Sequence, residues 1–495
     1  MRSRILSLIA IATAMPLHAA EQPAIFTSAF VTGSHTYAAK DFAAIIGPHV
    51  GQPVSTALLE QLAAEIQALY KSGGYVIPTV VPADSALGAG TPRLHVYEAQ
   101  INEVVLRGDC GPYCELIRSD ARSLESTVIH KQRSRARLRR IEELPGVRLN
   151  AVFEPHAGDP NQYTLILTVS YQPFQAGAYL HNRGTDDLGR TVLGARTTFN
   201  GLLGMQEALT LRAAGTSDVG NYHFLGGQLD RQFANVAVSL DASASRIGTD
   251  WRYSNDRARI EVKTLAFDDG VTRVEPLLAI GASDSEGREV EADYFAAVRT
   301  RTLETGIAAR KAAVGATTDI WSAVERGIGG LGAAAITADA APYDVVFTKA
   351  MLDASHTHVL GAQWRLRVEL EGQFSNDNLP PGERFTFGGA RFGRAFDPAS
   401  LIGDSGAAGS VQLEYLRNWQ SAFLDSGRLY LQGDYGYSRL NLSDESMNAA
   451  SVTAGFSARL ARLLASLELS CSLNGSEFDA DDHHSRVFVY LQMSL

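Results

Sequence analysis

From Leu360 to Leu370 apolar and polar residues alternate without a fault. Leu360, Ala362, Trp364, Leu366, Val368 and Leu370 fall on one face, and Gly361, Gln363, Arg365, Arg367 and Glu369 on the other. A helix would scatter these residues around its circumference, so period two predicts a strand with one apolar and one charged face. The end of the chain repeats the pattern, with Val487, Val489, Leu491, Met493 and Leu495 opposing Arg486, Phe488, Tyr490, Gln492 and Ser494. Strands of about ten residues, apolar outward and polar inward, predict a transmembrane β-barrel, with Arg365, Arg367 and Glu369 facing its lumen. Beyond the N-terminal residues no stretch offers about 18 consecutive apolar residues, so no transmembrane helix is expected.

The pattern before Pro173 is different. Leu58, Leu59, Leu62, Ile66 and Leu69 recur at helical spacing between Ser55, a candidate cap, and Gly73-Gly74. Tyr75–Val81 and Arg93–Ala99 then read as strands. A second unit repeats this logic: strand Ile101–Arg107, a mostly helical stretch Glu115–Glu143, a break at Leu144-Pro145-Gly146, and strands Val147–Phe153 and Tyr163–Val169. Two small α+β modules are expected, at residues 24–99 and 100–172. Residues 174–495, at about 20 residues per strand and turn, make about 16 strands, an even number as bacterial barrels require. Arg2 and Arg4, the apolar run Ile5–Met15 and the small residues Ala19 and Ala20 read as a secretory signal peptide over residues 1–20.

Composition narrows the function. A net charge of −10 argues against a general nucleic-acid binder, as does an exported location. No G-x-x-x-x-G-K-[ST] loop is present, so no nucleotide is expected. Cys110 and Cys114 lie four apart in an exported segment and read as a small-loop disulfide; two further metal ligands do not stand at suitable spacing. Cys471 receives no role. His356-Thr-His358 and Asp481-Asp482-His483-His484 read as solvated polar positions rather than metal sites, and no cofactor is expected. Lys131–Arg140 holds six basic residues in ten, either a solvated helix face or a contact for anionic lipid heads or an acidic client.

One segment stands apart, Phe385–Gly406, FTFGGARFGRAFDPASLIGDSG. It is too long and glycine-rich for an ordinary hairpin, and reads either as a flexible surface loop or as an ordered loop that tucks back with an arginine needing a partner. Its Gly-Asp-Ser-Gly block also surrounds the nucleophile of chymotrypsin-like proteases. The flanking protease motifs are missing, and no enzyme is expected.

Together these residues resemble the outer-membrane transporters of two-partner secretion, the TpsB class, within the superfamily that includes the barrel-assembly insertases. The family loop runs G-G, then V-R-G-Y or V-R-G-F, then G-D-x-G. Here stand Gly388-Gly389, Gly393-Arg394-Ala395-Phe396 and Gly403-Asp404-Ser405-Gly406. His181-Asn182-Arg183-Gly184 resembles the family's first barrel strand. Gly393 and Ala395 depart from the tetrad, and Ala395 is expected to restrict the backbone while leaving the fold intact. The first module begins close to the cleavage site, so the plug helix that often precedes it in the family is expected to be absent.

The resemblance implies a 16-stranded barrel behind two periplasmic polypeptide-transport-associated (POTRA) domains. It also implies a loop arginine held by an acidic residue in an F-x-D-x-G pattern on a barrel strand. Phe423-Leu424-Asp425-Ser426-Gly427 matches those letters, yet Asp425 sits at a turn, whereas Asp434 shares the inward face with Tyr430 and Gln432. Periodicity therefore selects Arg394–Asp434, with Phe396 beside it. The implied function is secretion of a partner exoprotein, haemolysin- or adhesin-like, across an outer membrane of lipid and lipopolysaccharide. An insertase of membrane proteins is the alternative, disfavoured by two modules instead of about five; a solute porin would have no use for the modules.

Overall fold

The computed structural model describes residues 24–82, 90–156, 158–218, 220–249, 251–289, 295–337, 343–419, 424–475 and 485–494. The signal peptide expected at 1–20, and His483 and His484, lie outside the described residues. The chain packs as two compact units, residues 1–104 with 125–131 and 153–165, and residues 105–124 with 132–152 and 166–495.

In the first unit the helix Thr56–Ser72 starts where Ser55 Oγ accepts the Leu58 N–H at 3.2 Å, and its apolar stripe Leu58, Leu62, Ile66 and Tyr70 is buried. The stripe packs with Leu94 and Val96 of a small sheet ordered Phe30–Thr32, Arg93–Tyr97, Thr79–Pro82. Glu98, almost fully buried, accepts hydrogen bonds from Tyr70 Oη at 2.6 Å and the Thr36 N–H at 2.9 Å.

A second three-stranded sheet runs Gln100–Gly108, Asp159–Tyr171, Val147–His156. The long helix expected over 115–143 is two helices, Cys114–Arg122 and Lys131–Glu142. Between them Ser126 takes φ +57°, and Val128 and His130 form strand-like bridges to Gln100 and Tyr75. Such backbone pairing outcompetes a helix that apolar spacing alone would continue. Cys110 and Cys114 are bonded, with Cα atoms 5.0 Å apart.

In the second unit the C-terminal end of the basic helix docks on barrel turns. Arg139 donates to Asp268 at 3.1 Å and to the Gly270 carbonyl, Arg140 donates to Asn235 at 2.9 Å, and Glu143 pairs with Arg273. Gly270, at φ +83°, has no room for a side chain, because a Cβ would lie 2.3 Å from the Gln132 carbonyl oxygen. Part of the basic run is thus a structural contact.

Sixteen antiparallel strands close a barrel from Phe174–His181 to Ser485–Ser494. Along Ser426–Arg439 the alternation is plain: Leu429, Leu431 and Tyr435 are more than half exposed, while Gln432 and Asp434 between them are 2% and 4% exposed. The wall is apolar toward lipid and polar toward the lumen. The closing seam pairs only five residues, Tyr490–Ser494 with His181–Gly177. Asn182 extends it with its side chain, donating to the Val487 carbonyl at 2.9 Å and accepting the Val489 N–H at 2.7 Å.

Candidate functional site: the loop inside the barrel

Between the strands Trp364–Ser375 and Ser405–Asn418 the glycine-rich segment folds as an ordered hairpin, Phe385–Phe387 against Leu401–Gly403. Phe385, Phe387, Phe392, Ala395, Phe396 and Leu401 are buried together with Ala408 and Ala449 of the wall. The bland reading of a flexible surface loop is excluded by that core.

The glycines have separate jobs. Gly388 and Gly389 take φ +115° and +111°, and a Cβ on Gly388 would lie 2.1 Å from the Asp397 carbonyl oxygen. Gly406 leaves room for the Phe385 ring, which a Cβ would meet at 2.1 Å. Gly393 takes φ +66° with the Phe387 ring against it, so the tetrad's left-handed residue is Gly393 and the fully buried Ala395 has negative φ. Outside the left-handed region an alanine carries no backbone strain, so Ala395 fits here.

Gly403 and Asp404 anchor the loop's exit. Asp404 is fully buried and accepts N–H groups from Leu379 and Asn441, each at 2.8 Å, with Arg384 at 3.4 Å. One carboxylate thereby ties both limbs of the loop to the turn that follows the next strand. A Cβ on Gly403 would lie 2.7 Å from the Arg439 backbone nitrogen.

Arg394 and Asp434 do not form the expected ion pair. Asp434 accepts hydrogen bonds from Gln432 Nε2 at 2.6 Å and Ser451 Oγ at 3.1 Å instead. The Arg394 guanidinium donates to Tyr430 Oη at 3.2 Å and forms its ion pair with Glu468 at 3.6 Å. Tyr430 and Glu468 lie level across Gly455 in the strand register, four residues along from Asp434, a shift of about 13 Å. Periodicity identifies the inward face; it carries no information on depth along it. The carboxylate for the guanidinium is Glu468, which the sequence reading did not name. Its signal was a single acid between the outward Leu467 and Leu469. Asp425 lies instead at a turn, its N–H bonded to the Arg459 carbonyl.

More loop charges meet the wall. Arg391 pairs with Asp353 at 2.6 Å and Glu371 at 2.8 Å, and reaches Glu369 at 3.7 Å. Glu369 also holds Arg367 at 2.8 Å, and Arg365 faces Glu414 at 3.5 Å. Arg486 of the last strand grips Asp397 of the loop through two hydrogen bonds. At the loop's other limb Glu383 receives Lys349 at 2.8 Å and Thr300 Oγ1 at 3.0 Å. Phe396 makes no polar contact and serves as an apolar anchor beside Phe387, ring centroids 6.0 Å apart. Among the described residues no cluster of three or more His, Cys, Asp or Glu could hold a metal.

Known proteins place this arrangement. The family model of the haemolysin secretion/activation proteins ShlB/FhaC/HecB matches residues 295–458, which include the loop and the strands beneath it, and the ShlB-type POTRA model matches residues 26–99. The chain is a two-partner secretion outer-membrane transporter. Its fold is similar to that of CdiB from Escherichia coli, at TM-score 0.76 and 16% identity over 98% of this chain and 93% of that one. CdiB from Acinetobacter baumannii follows at TM-score 0.66 and 14% identity, over 96% and 90%. BamA from Haemophilus ducreyi lacking POTRA domains 1–3 reaches 0.51 and 10%, over 95% and 100%. No curated protein matches in sequence. The transporter's barrel lies in the outer membrane, its POTRA domains lie in the periplasm, and its partner is a secreted exoprotein.

Proposed function

We propose that the transporter passes its exoprotein through the barrel lumen, and that the loop, from Glu383 through Phe385 to the anchor at Gly403, must withdraw from the wall partners of Arg394 and Glu383 for each passage. The observation that carries this reading is the loop's placement: a buried aromatic core packs on the inner wall at Ala408 and Ala449, yet its outer bonds are ion pairs, which water can replace. Hydrophobic burial seats the loop and charge makes it separable.

Capture begins at the modules. The strand Val147–His156 lies at the edge of its sheet with Val152 and Phe153 exposed. An extended client can add to such an edge by backbone hydrogen bonding without a fixed sequence. We assign residues 1–20 to a signal peptide, 24–99 and 100–172 to the two POTRA domains, and 174–495 to the barrel. The outward wall meets outer-membrane lipid and lipopolysaccharide. No nucleotide, nucleic acid or catalytic group has a part in the scheme; folding of the client outside biases its direction.

Deletion of the gene tests the reading. Its secreted exoprotein partner should stay in the periplasm while other outer-membrane barrels keep their abundance. A general fall in barrel abundance with normal exoprotein release would instead make the chain an insertase.

A further inference from the structure

Three wall charges that grip the loop are each shared with a second charge on the barrel itself. Lys349 holds Glu383 of the loop at 2.8 Å and Glu325 of the neighbouring strand at 3.4 Å. Glu325 and Lys349 stand directly opposite each other in the strand register. Glu468 holds Arg394 of the loop and also Arg183, which follows the first barrel strand and lies 3.9 Å above the Phe488 ring. Glu369 faces Arg391 of the loop and also Arg367 on its own strand. Lys349, Glu325 and Glu468 are all well shielded, with side chains between 7% and 14% exposed.

An ammonium or carboxylate left without a counter-ion in such a place is costly, whereas a pair that merely exchanges one partner is not. We propose that Glu325, Arg183 and Arg367 are standby counter-ions: they keep each wall charge neutralised once the loop departs, and so set how readily it departs and returns. This rests on the reading that the loop withdraws during secretion. The Lys349 site carries the case best, because both Lys349 and Glu325 sit on regular strands and neither belongs to the loop. Glu383 is bound there from several sides: Lys349 Nζ and Gln373 Nε2 also donate to its carbonyl, at 3.2 and 3.0 Å, and Arg257 donates to the Gly382 carbonyl at 3.2 Å.

The consequence is a difference in sign. Glu383→Gln removes the loop's own charge, weakens the seated state alone and favours withdrawal. Glu325→Gln leaves the seated pair Lys349–Glu383 intact but strands the ammonium when the loop goes, and so opposes withdrawal. An ordinary structural cluster would loosen with either change.

The test uses the full-length protein in liposomes, with Cys471→Ser and the reporter Ala395→Cys, whose thiol is buried while the loop is seated. Cys110 and Cys114 are bonded to each other and do not react. Retention of the compact barrel is checked by migration before and after heating in detergent. Maleimide labelling should be about tenfold faster with Glu383→Gln and about tenfold slower with Glu325→Gln. Arg183→Gln should slow it likewise, and serves if Glu325→Gln does not insert. Faster or unchanged labelling with the standby variants would overturn the proposal. The parent reading fails separately: secretion of the exoprotein would then be indifferent to variants that demonstrably change the labelling rate.

Discussion

Double-mutant cycles can separate the pairing of Arg394 with Glu468 from any contribution of Asp434. Arg394→Met removes the guanidinium and keeps the side chain's apolar stem. At 3.6 Å and an effective dielectric of about 20, the Arg394–Glu468 attraction is about 4–5 kcal/mol before desolvation. Both side chains are mostly shielded, 16% and 14% exposed, but Glu468 keeps Arg183 when Arg394 is lost, and Tyr430 keeps its place over Gly455. A coupling of about 1–2 kcal/mol between Arg394→Met and Glu468→Gln is therefore expected, about 5–30-fold in the loop's release. Between Arg394→Met and Asp434→Asn the coupling should fall below about 0.5 kcal/mol, since no ion pair or side-chain hydrogen bond joins the two. Labelling rates of the Ala395→Cys reporter across both cycles supply the numbers. A larger coupling to Asp434 than to Glu468 would refute the assignment.

Gly388→Ala should disrupt the seated loop while the barrel still inserts, because φ +115° and the Asp397 carbonyl oxygen 2.1 Å from a Cβ leave alanine no place; raised conductance in planar bilayers checks it, at a cost to the seated state of about 1–3 kcal/mol. In the first POTRA domain, burial pushes the Glu98 pKa up, but hydrogen bonds from Tyr70 and Thr36 outweigh it and hold the carboxyl below its ordinary value. A lowered folded pKa means the stabilisation is complete above the unfolded value of about 4.3 and is lost as pH falls through the folded one. Hydrogen exchange around Tyr70 should therefore loosen in acid in the wild type, and Glu98→Gln should abolish that acid dependence while costing about 1–2 kcal/mol at neutral pH.

Local pattern alone carried the architecture. Period two in Leu360–Leu370 names the inward and outward faces of a strand because successive side chains must point to opposite sides, whatever the strand packs against. The Ser55 cap and the stripe Leu58–Tyr70 likewise place a helix without reference to the rest of the chain. The glycines of Phe385–Gly406 announced a loop with special backbone demands, but left open whether it was flexible or tucked back, and the anchoring role of Asp404 came only from the structure.

What pattern could not carry was any quantity that depends on two distant segments at once. The break in the helix expected over 115–143 arises because Val128 and His130 bond to Gln100 and Tyr75, which local spacing does not contain. The left-handed backbone at Gly393, with the Phe387 ring against it, was equally beyond local spacing. Most of all, Asp434 and Glu468 were both readable as inward-facing acids, and nothing in either strand's alternation sets their depth. Depth comes from the stagger of neighbouring strands around the closed barrel, and side-chain reach then decides which acid a guanidinium finds. The face of each charge was therefore a property of the sequence, and its partner a property of the barrel.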